Sequence, residues 1–341
     1  MARNSVTLED IARQLGIHVS TVSRVLNGSA GGVRKAASAA TVERIYNLAK
    51  EKGYQPNPHA ITLRTQQSRE IAVLVPRLSD PVMATVYESI DIAAAQSGYT
   101  AFVSNTFSDF ERQREFGERA VARSVGGIII ADSVLDPAAD WLEKLSDYNI
   151  PYVLVVRSRG EHVAVTCDDY LGGRMAAEHL WKQGHRQVAL LGGDLLSSTG
   201  ADRSRGFLSY FSEKGLPIRP TLIRTGLFDI ITGRQQTKEI LQTGIEFSAL
   251  FAVNDLLAVG AMASLREEGL EPGKDVAVIG YNNTSLASQI TPALTSISSD
   301  MELQGQKAVE MLLQKIAGET PQNYLVSPQL HIRDSSNFQR K

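Results

Sequence analysis

Apolar and polar positions follow two different periods along this chain. Near the start, Leu8, Ile11, Ala12 and Leu15 recur at the i, i+3, i+4, i+7 spacing of one buried helical face. Thr7-Leu8-Glu9-Asp10 supplies a capping residue with an acid three positions on, and Gly16 stops the helix. A second segment begins near His18 with Val22, Val25 and Leu26 free to pack inward, and it ends at the turn signal Asn27-Gly28. A third amphipathic stretch, Val42, Ile45, Leu48 and Ala49, closes a small three-helix core before Gly53-Tyr54. Two short helices joined by a glycine turn form a helix-turn-helix, whose second helix can enter a major groove, although αα-hairpins that bind nothing share the pattern. Val19, Ser20, Thr21, Ser23, Arg24 and Asn27 face outward on that second helix. Short hydroxyls reach phosphates, and an arginine can donate a bidentate pair to guanine.

From Glu70 the pattern changes to short β-rich runs alternating with amphipathic helices. Strands are predicted at 71–75, 100–104, 126–130 and 151–156, with helices near 82–97 and 110–123 and another before Pro151. After Thr166 the series restarts: helices at 170–183, 201–214, 231–243 and 255–268 alternate with strands at 187–192, 221–225, 249–253 and 275–280. Such alternation predicts parallel, doubly wound sheets, and two series predict two subdomains, with ligand crevices beyond the carboxyl ends of the strands. In the tail, a run at 294–297 with a helix at 301–317, and a last segment at 330–335, resemble a crossover and a closing strand.

The 341 residues exceed one ordinary domain, and the total charge of −2 conceals an asymmetry. Residues 1–68 hold nine Lys/Arg and four acids, a balance of +5, which leaves 26 basic and 33 acidic residues, −7, for the rest. A basic head on an acidic body predicts a polyanion partner for the head alone. No apolar run approaches the roughly 18 residues of a membrane span, and the first twenty residues lack a secretory apolar block, so a cytoplasmic location without membrane attachment is expected. One cysteine, Cys167, and six scattered histidines predict neither a disulfide framework nor a metal site. There is no G-x-x-x-x-G-K-[ST], G-x-S-x-G or H-E-x-x-H, and Gly126-Gly127 and Gly192-Gly193 are strand-boundary glycines, so no catalytic residue and no cofactor are expected.

The string TLEDIARQLGIHVSTVSRVLNGS from Thr7, followed by GYQPNPHAITLR from Gly53, resembles the DNA-binding headpiece of the LacI/GalR family of bacterial repressors. The resemblance spans about residues 5–336. It implies base-reading residues at Val19, Ser20 and Arg24, with phosphate contacts from Thr7, Thr21, Ser23 and Asn27. His18 stands where the family usually has Ser or Ala, either as a neutral donor beside the DNA backbone or as a partial cation in acid. Residues 28–37 form a longer connection than is usual, read as a surface insertion or as an added phosphate contact through Arg34 or Lys35. The segment 57–69 matches the hinge that folds on operator DNA, with Ala60 in register and Leu63 as the minor-groove wedge.

The implied fold is an all-α helix-turn-helix headpiece (1–56), this hinge, and an α/β periplasmic-binding-protein-like core (70–341) of two Rossmann-like subdomains. The first lobe comprises about 70–166 and 297–326, the second about 167–296 and 327–341. An effector would sit between the lobes, touching Val82, Ser197, Thr199, Arg203, Phe228, Asn254 and Asn282; Arg203 opens an R-x-x-G-F match. Many sugar-responsive relatives carry Asp at the positions of Val156 and Asn282. Without acids opposite Arg203, an acidic or phosphorylated sugar derivative becomes as good an expectation as a neutral sugar, with a nucleobase as a further alternative and a surface ion pair of Arg203 with Asp202 or Glu213 as the plain one. The expected unit is a homodimer on double-stranded operator DNA, joined through helices near 83–96 and the second lobe around 255–285. No leucine heptads remain after the closing strand for a tetramerising coil. A cytosolic solute-binding protein without an operator is the alternative function.

Overall fold

The computed structural model describes residues 6–27, 36–54, 68–133 and 141–337. The chain divides into two compact units, Met1–Arg69 and Glu70–Lys341.

In the first unit, helices α1 (Leu8–Leu15), α2 (Val19–Asn27) and α3 (Ala39–Glu51) surround a core of Ile11, Ala12, Val22, Val25, Ile45, Leu48 and Ala49. The start of α1 is a closed capping box. Asp10 N–H donates to Thr7 Oγ1 at 3.2 Å, while the Thr7 amide (3.0 Å) and hydroxyl (2.7 Å) both donate to Asp10 Oδ2. These two donors hold the Asp10 carboxyl below its ordinary pKa. Gly16 ends α1 at φ +67°, a left-handed conformation open to glycine at little cost, and so turns the chain into α2. Tyr46 of α3 donates to the Val25 carbonyl at 3.1 Å, locking the end of α2.

The second unit contains two six-stranded sheets. The first has the order β11-β5-β4-β3-β1-β2, built from β1 (Glu70–Val75), β2 (Thr100–Asn105), β3 (Gly127–Ile130), β4 (Tyr152–Val155), β5 (Ala164–Cys167) and β11 (Tyr324–Val326). The second has the order β12-β10-β9-β8-β6-β7, from β6 (Val188–Leu191), β7 (Ile223–Arg224), β8 (Ala249–Ala252), β9 (Ala277–Asn282), β10 (Thr295–Ser298) and β12 (Gln329–His331). All neighbours are parallel except β10 and β12.

Helices cover both faces of each sheet, which is why the strands read as continuous apolar runs rather than alternating ones. Along β1, Ile71, Val73 and Val75 enter one core with helices α4 (Pro81–Gln96) and α12 (Met301–Ile316), while Ala72 and Leu74 enter another with α5 (Phe110–Ala122) and α6 (Trp141–Asp147). In the second lobe, α7 (Asp169–Lys182), α8 (Ser198–Glu213), α9 (Ile230–Leu241), α10 (Asp255–Glu267) and the short α11 (Ser285–Gln289) accompany the strands. The chain crosses between lobes after β5, after β10 and after β11.

Pattern and structure part in a few places. Ala164–Cys167 is a strand that no run predicted, because four residues are too few to show a period. Helix α8 starts at Ser198 rather than near 201: Ser198, Thr199 and Gly200 have poor helix propensity, yet all three are buried in the lobe. The strand expected at 221–225 shrinks to two residues behind a 3₁₀ turn at Pro220–Leu222. The closing strand lies at 329–331 rather than 330–335. Ala60, Leu63 and residues 28–35 of the insertion lie outside the described residues.

Candidate functional site

Helix α2 carries the first candidate surface. Arg24 is exposed, and Ser20, Thr21 and Ser23 are half-buried around the same helix. Val19 differs from expectation: it is half-buried and packs against the head core instead of standing clear, because it follows directly on the tight turn from α1. The Asn27 side chain lies outside the described residues.

His18 is the residue before α2 and serves as its cap. The Ser20 amide donates to His18 Nδ1 at 3.2 Å, and Ser20 Oγ lies 2.8 Å from the same nitrogen. This pair of contacts ties the His18 ring to the first turn of α2. The Thr7 hydroxyl is likewise committed: its single hydrogen goes to Asp10.

The second candidate is a cavity between the lobes, at the carboxyl ends of both sheets, where doubly wound folds place ligands. It is lined by Pro76, Asp80, Val82, Met83, Val156, Arg157, Thr199, Arg203, Phe228, Asn254 and Asn282. Six of the seven expected effector residues therefore meet there. Ser197 does not reach the wall; it is buried behind Thr199, with the two hydroxyl oxygens 2.7 Å apart. The cavity has a volume of about 40 Å³, room for a few waters at ~10–15 Å³ each and far less than a sugar needs, so a larger ligand requires the lobes to separate. Hollows of about 640 and 730 Å³ open elsewhere on the second lobe, the former beside the amino ends of β6, β8 and β9. They lie away from the end of the sheet where a ligand is expected.

Arg203 is 3% exposed. Its Nε donates to Asp169 Oδ1 and its Nη1 to the Val253 carbonyl, each at 2.8 Å, and the guanidinium stacks 3.8 Å from the centre of the Tyr281 ring. Neither anticipated surface partner is used: Asp202 pairs with Arg205 and Glu213 with Arg174. Burial raises the Asp169 carboxyl above its ordinary pKa against the pull of Arg203, and it also pushes the Cys167 thiol up to about 12, which keeps that sulfur protonated and unreactive.

One feature overturns the expectation of a site without acids. Asp80 stands on the wall as the cap of α4, its Oδ1 accepting from Val82 N–H at 2.9 Å; burial raises its pKa while Arg157 and Arg203 pull it down. Asp-Pro at a helix start reads simply as a cap, and so its second role escaped the sequence. Arg157 was also missed. It follows a tight turn in which its N–H donates to the Val155 carbonyl at 2.7 Å across Val156 at φ +68°. A β-branched residue at positive φ is strained, by roughly 1–3 kcal/mol, and this strain aims Arg157 into the cavity.

Asp132 fixes Arg157 from behind, accepting its Nη1 at 2.8 Å. The same carboxylate accepts from the Ser108 amide and hydroxyl, from Gln113 Nε2 and from the Thr106 hydroxyl. Across the cavity, Gly193 at φ +59° lies so close to the Phe228 ring that a Cβ would fall 2.6 Å from it, so this glycine makes room for the aromatic wall. Asn254 caps α10 by accepting from Leu257 N–H and reaches the Phe228 carbonyl with its amide. Among the described residues no cluster of three or more His, Cys, Asp or Glu could hold a metal, and no helix is long and apolar enough to cross a membrane.

Comparison with known proteins finds matches to both units of the chain. Residues 7–57 match the bacterial regulatory proteins of the lacI family, and residues 177–336 match a periplasmic binding protein-like domain. The HTH-type transcriptional repressor PurR of Erwinia tasmaniensis is 30% identical over 324 residues, covering 94% of this chain and 93% of that protein. A crystal structure of the lac repressor dimer bound to operator and the anti-inducer ONPF superposes with a TM-score of 0.88 at 31% identity, covering 98% of this chain and 99% of that one. The transcriptional regulator CelR in complex with cellobiose superposes with a TM-score of 0.74 at 27% identity, covering 97% and 100%. These relatives are transcription regulators, not enzymes. With its helix-turn-helix head, its two-lobed core and this full-length similarity, the chain belongs to the LacI family of bacterial transcriptional repressors.

Proposed function

We propose that this repressor binds a pseudo-palindromic operator as a cytoplasmic homodimer and regulates a carbohydrate-related catabolic operon in response to a sugar or sugar derivative held between its lobes. The observation that carries the reading is the pairing of an exposed Arg24 on a capped recognition helix with a polar cleft between two parallel-sheet lobes. One head offers too small a surface for strong specificity, so two heads on a symmetric site are needed. In this reading Ser20 and Arg24 read bases with the half-buried Val19 at their edge, while His18, Thr21, Ser23 and Asn27 face phosphates, Thr7 acts by capping the helix that presents them, and Ala60 and Leu63 enter the minor groove. Effector binding biases lobe closure and so the first lobes that carry the hinges; by linkage, DNA changes effector affinity by the same factor. The Phe228 ring on the cavity wall would also stack on a planar base, which supports a nucleobase as the second reading.

The test is selection of bound duplexes from a genomic library, followed by fluorescence anisotropy on the selected site. We expect a symmetric site, a steep loss of affinity with salt, and a loss of about tenfold or more for Arg24→Ala on that site, in line with the ~1–3 kcal/mol of a base-reading arginine. Retention of full specific affinity by Arg24→Ala would contradict its role, and failure to select any duplex would remove the operator reading.

A further inference from the structure

Two arginines enter the interlobe cavity from opposite sides, Arg157 after β4 of the first lobe and Arg203 on α8 of the second, and both are at least nine-tenths buried. Neither guanidinium is used up by the protein. Arg157 gives only Nη1 to Asp132, and Arg203 gives Nε and Nη1 to Asp169 and Val253, so Nε and Nη2 of Arg157 and Nη2 of Arg203 make no hydrogen bond to the described residues. Asp132 accepts from four neutral donors besides Arg157 and so holds that guanidinium firmly in place, with Nε and Nη2 left over for a ligand. Leaving charged donors unpaired in a closing cleft is costly, and a ligand that supplies acceptors removes that cost.

Helix termini add to the same field. Ser197, at the start of α8, makes no side-chain cap, and the amino ends of α4, α8 and α10 all border the cavity, each presenting the positive end of its dipole. Asp80 is the one carboxylate on the wall, and its proximity to both Arg157 and Arg203 shows that the three groups converge. Beside two guanidinium forks, a carboxyl group accepts from ligand hydroxyls.

We infer that the effector is a polyhydroxylated small-molecule anion, its carboxylate or phosphate held between Arg157 and Arg203 and its hydroxyls bound by Asp80, Asn254 and Asn282. The inference rests on the proposed effector role of the cleft and adds the charge class and the specificity-determining part of Arg157. Unused guanidinium donors from both lobes also give a reason for closure, since the anion is fully paired only when the two arginines approach it together.

The experiment is isothermal titration of the full-length protein with matched probes: glucose, galactose and ribose against gluconate, glucuronate, galacturonate, glucose 6-phosphate and ribose 5-phosphate, with hypoxanthine as a neutral base. At least one acid or ester should bind tenfold or more tightly than its neutral parent, and the carboxylate and phosphate arms tell which anion is used. Arg157→Gln should lower that affinity at least tenfold and abolish the preference for the charged probe, Arg157→Lys should give a smaller loss, and Arg205→Gln, on the exposed face of α8, should change nothing. Circular dichroism melts check that each variant folds; where Arg157→Gln does not, the wild-type comparison and Arg157→Lys decide. The inference is overturned if no charged probe binds better than its parent, or if a folded Arg157 variant keeps both affinity and preference. Operator binding by the wild type is read separately by anisotropy, so loss of the repressor reading is distinguishable from loss of this one.

Discussion

Asp255, the first residue of α10, lies fully buried beside the cavity wall and joins three segments. Its Oδ1 accepts from Ser296 Oγ at 2.6 Å, and its Oδ2 accepts from Thr284 N–H at 2.7 Å and Thr284 Oγ1 at 2.9 Å. Burial outweighs these three donors and pushes the carboxyl up to about 6. Because the folded state then holds the proton more tightly than the unfolded chain, this group favours folding fully below the unfolded value of 3.8, and that contribution fades as pH rises through about 6. Chemical denaturation of wild type and Asp255→Asn between pH 4 and 7 should show the wild type losing about 2 kcal/mol relative to the variant. A difference that stays flat with pH would show that the carboxyl does not titrate there.

Among elements, the crossing of α7 on α8 depends on glycine. A Cβ at Gly173 would fall 2.1 Å from the Arg203 carbonyl oxygen, and one at Gly206 would fall 2.0 Å from that of Tyr170. Both contacts are with backbone, so an added methyl forces the helices apart and carries Arg203 with them. Gly206→Ala should therefore destabilise the protein by roughly 1–3 kcal/mol or more in urea unfolding and weaken effector binding although Gly206 touches no ligand. Unchanged stability would mean that the two helices can separate freely. The glycines were visible in the sequence, where the one at 206 belongs to the R-x-x-G-F match, but which backbone each approaches was not.

At the scale of the whole molecule, the head and the core each have a hydrophobic centre of their own, so the protein should unfold in two transitions. Thr7→Ala removes the cap of α1 at a cost of about 1 kcal/mol and should lower only the transition of the head, as followed by scanning calorimetry. A single transition shifted as a whole would show instead that the two units unfold together. The same substitution also bears on DNA affinity: part of any loss reflects a less stable head, since the Thr7 hydroxyl already donates to Asp10.

Local regularities written in neighbouring residues were open to sequence reasoning: the capping box at Thr7, the 3.6-residue period of three short helices, the alternation of apolar runs and helices that makes parallel sheets, and the +5 and −7 halves. The family resemblance at R-x-x-G-F, five neighbouring residues, placed Arg203 in the cleft. Tertiary structure alone decided what Arg203 pairs with, since Asp169 lies 34 positions away. It also decided that Arg157 faces the cleft, because its aim depends on a strained turn at Val156 and on Asp132, 25 positions earlier. Asp80 carried a clear local signal as a helix cap, and only the approach of the second lobe made it part of the site. Charge complementarity across a cleft belongs to residues that meet when two sheets assemble, and no period or spacing along the chain encodes that meeting.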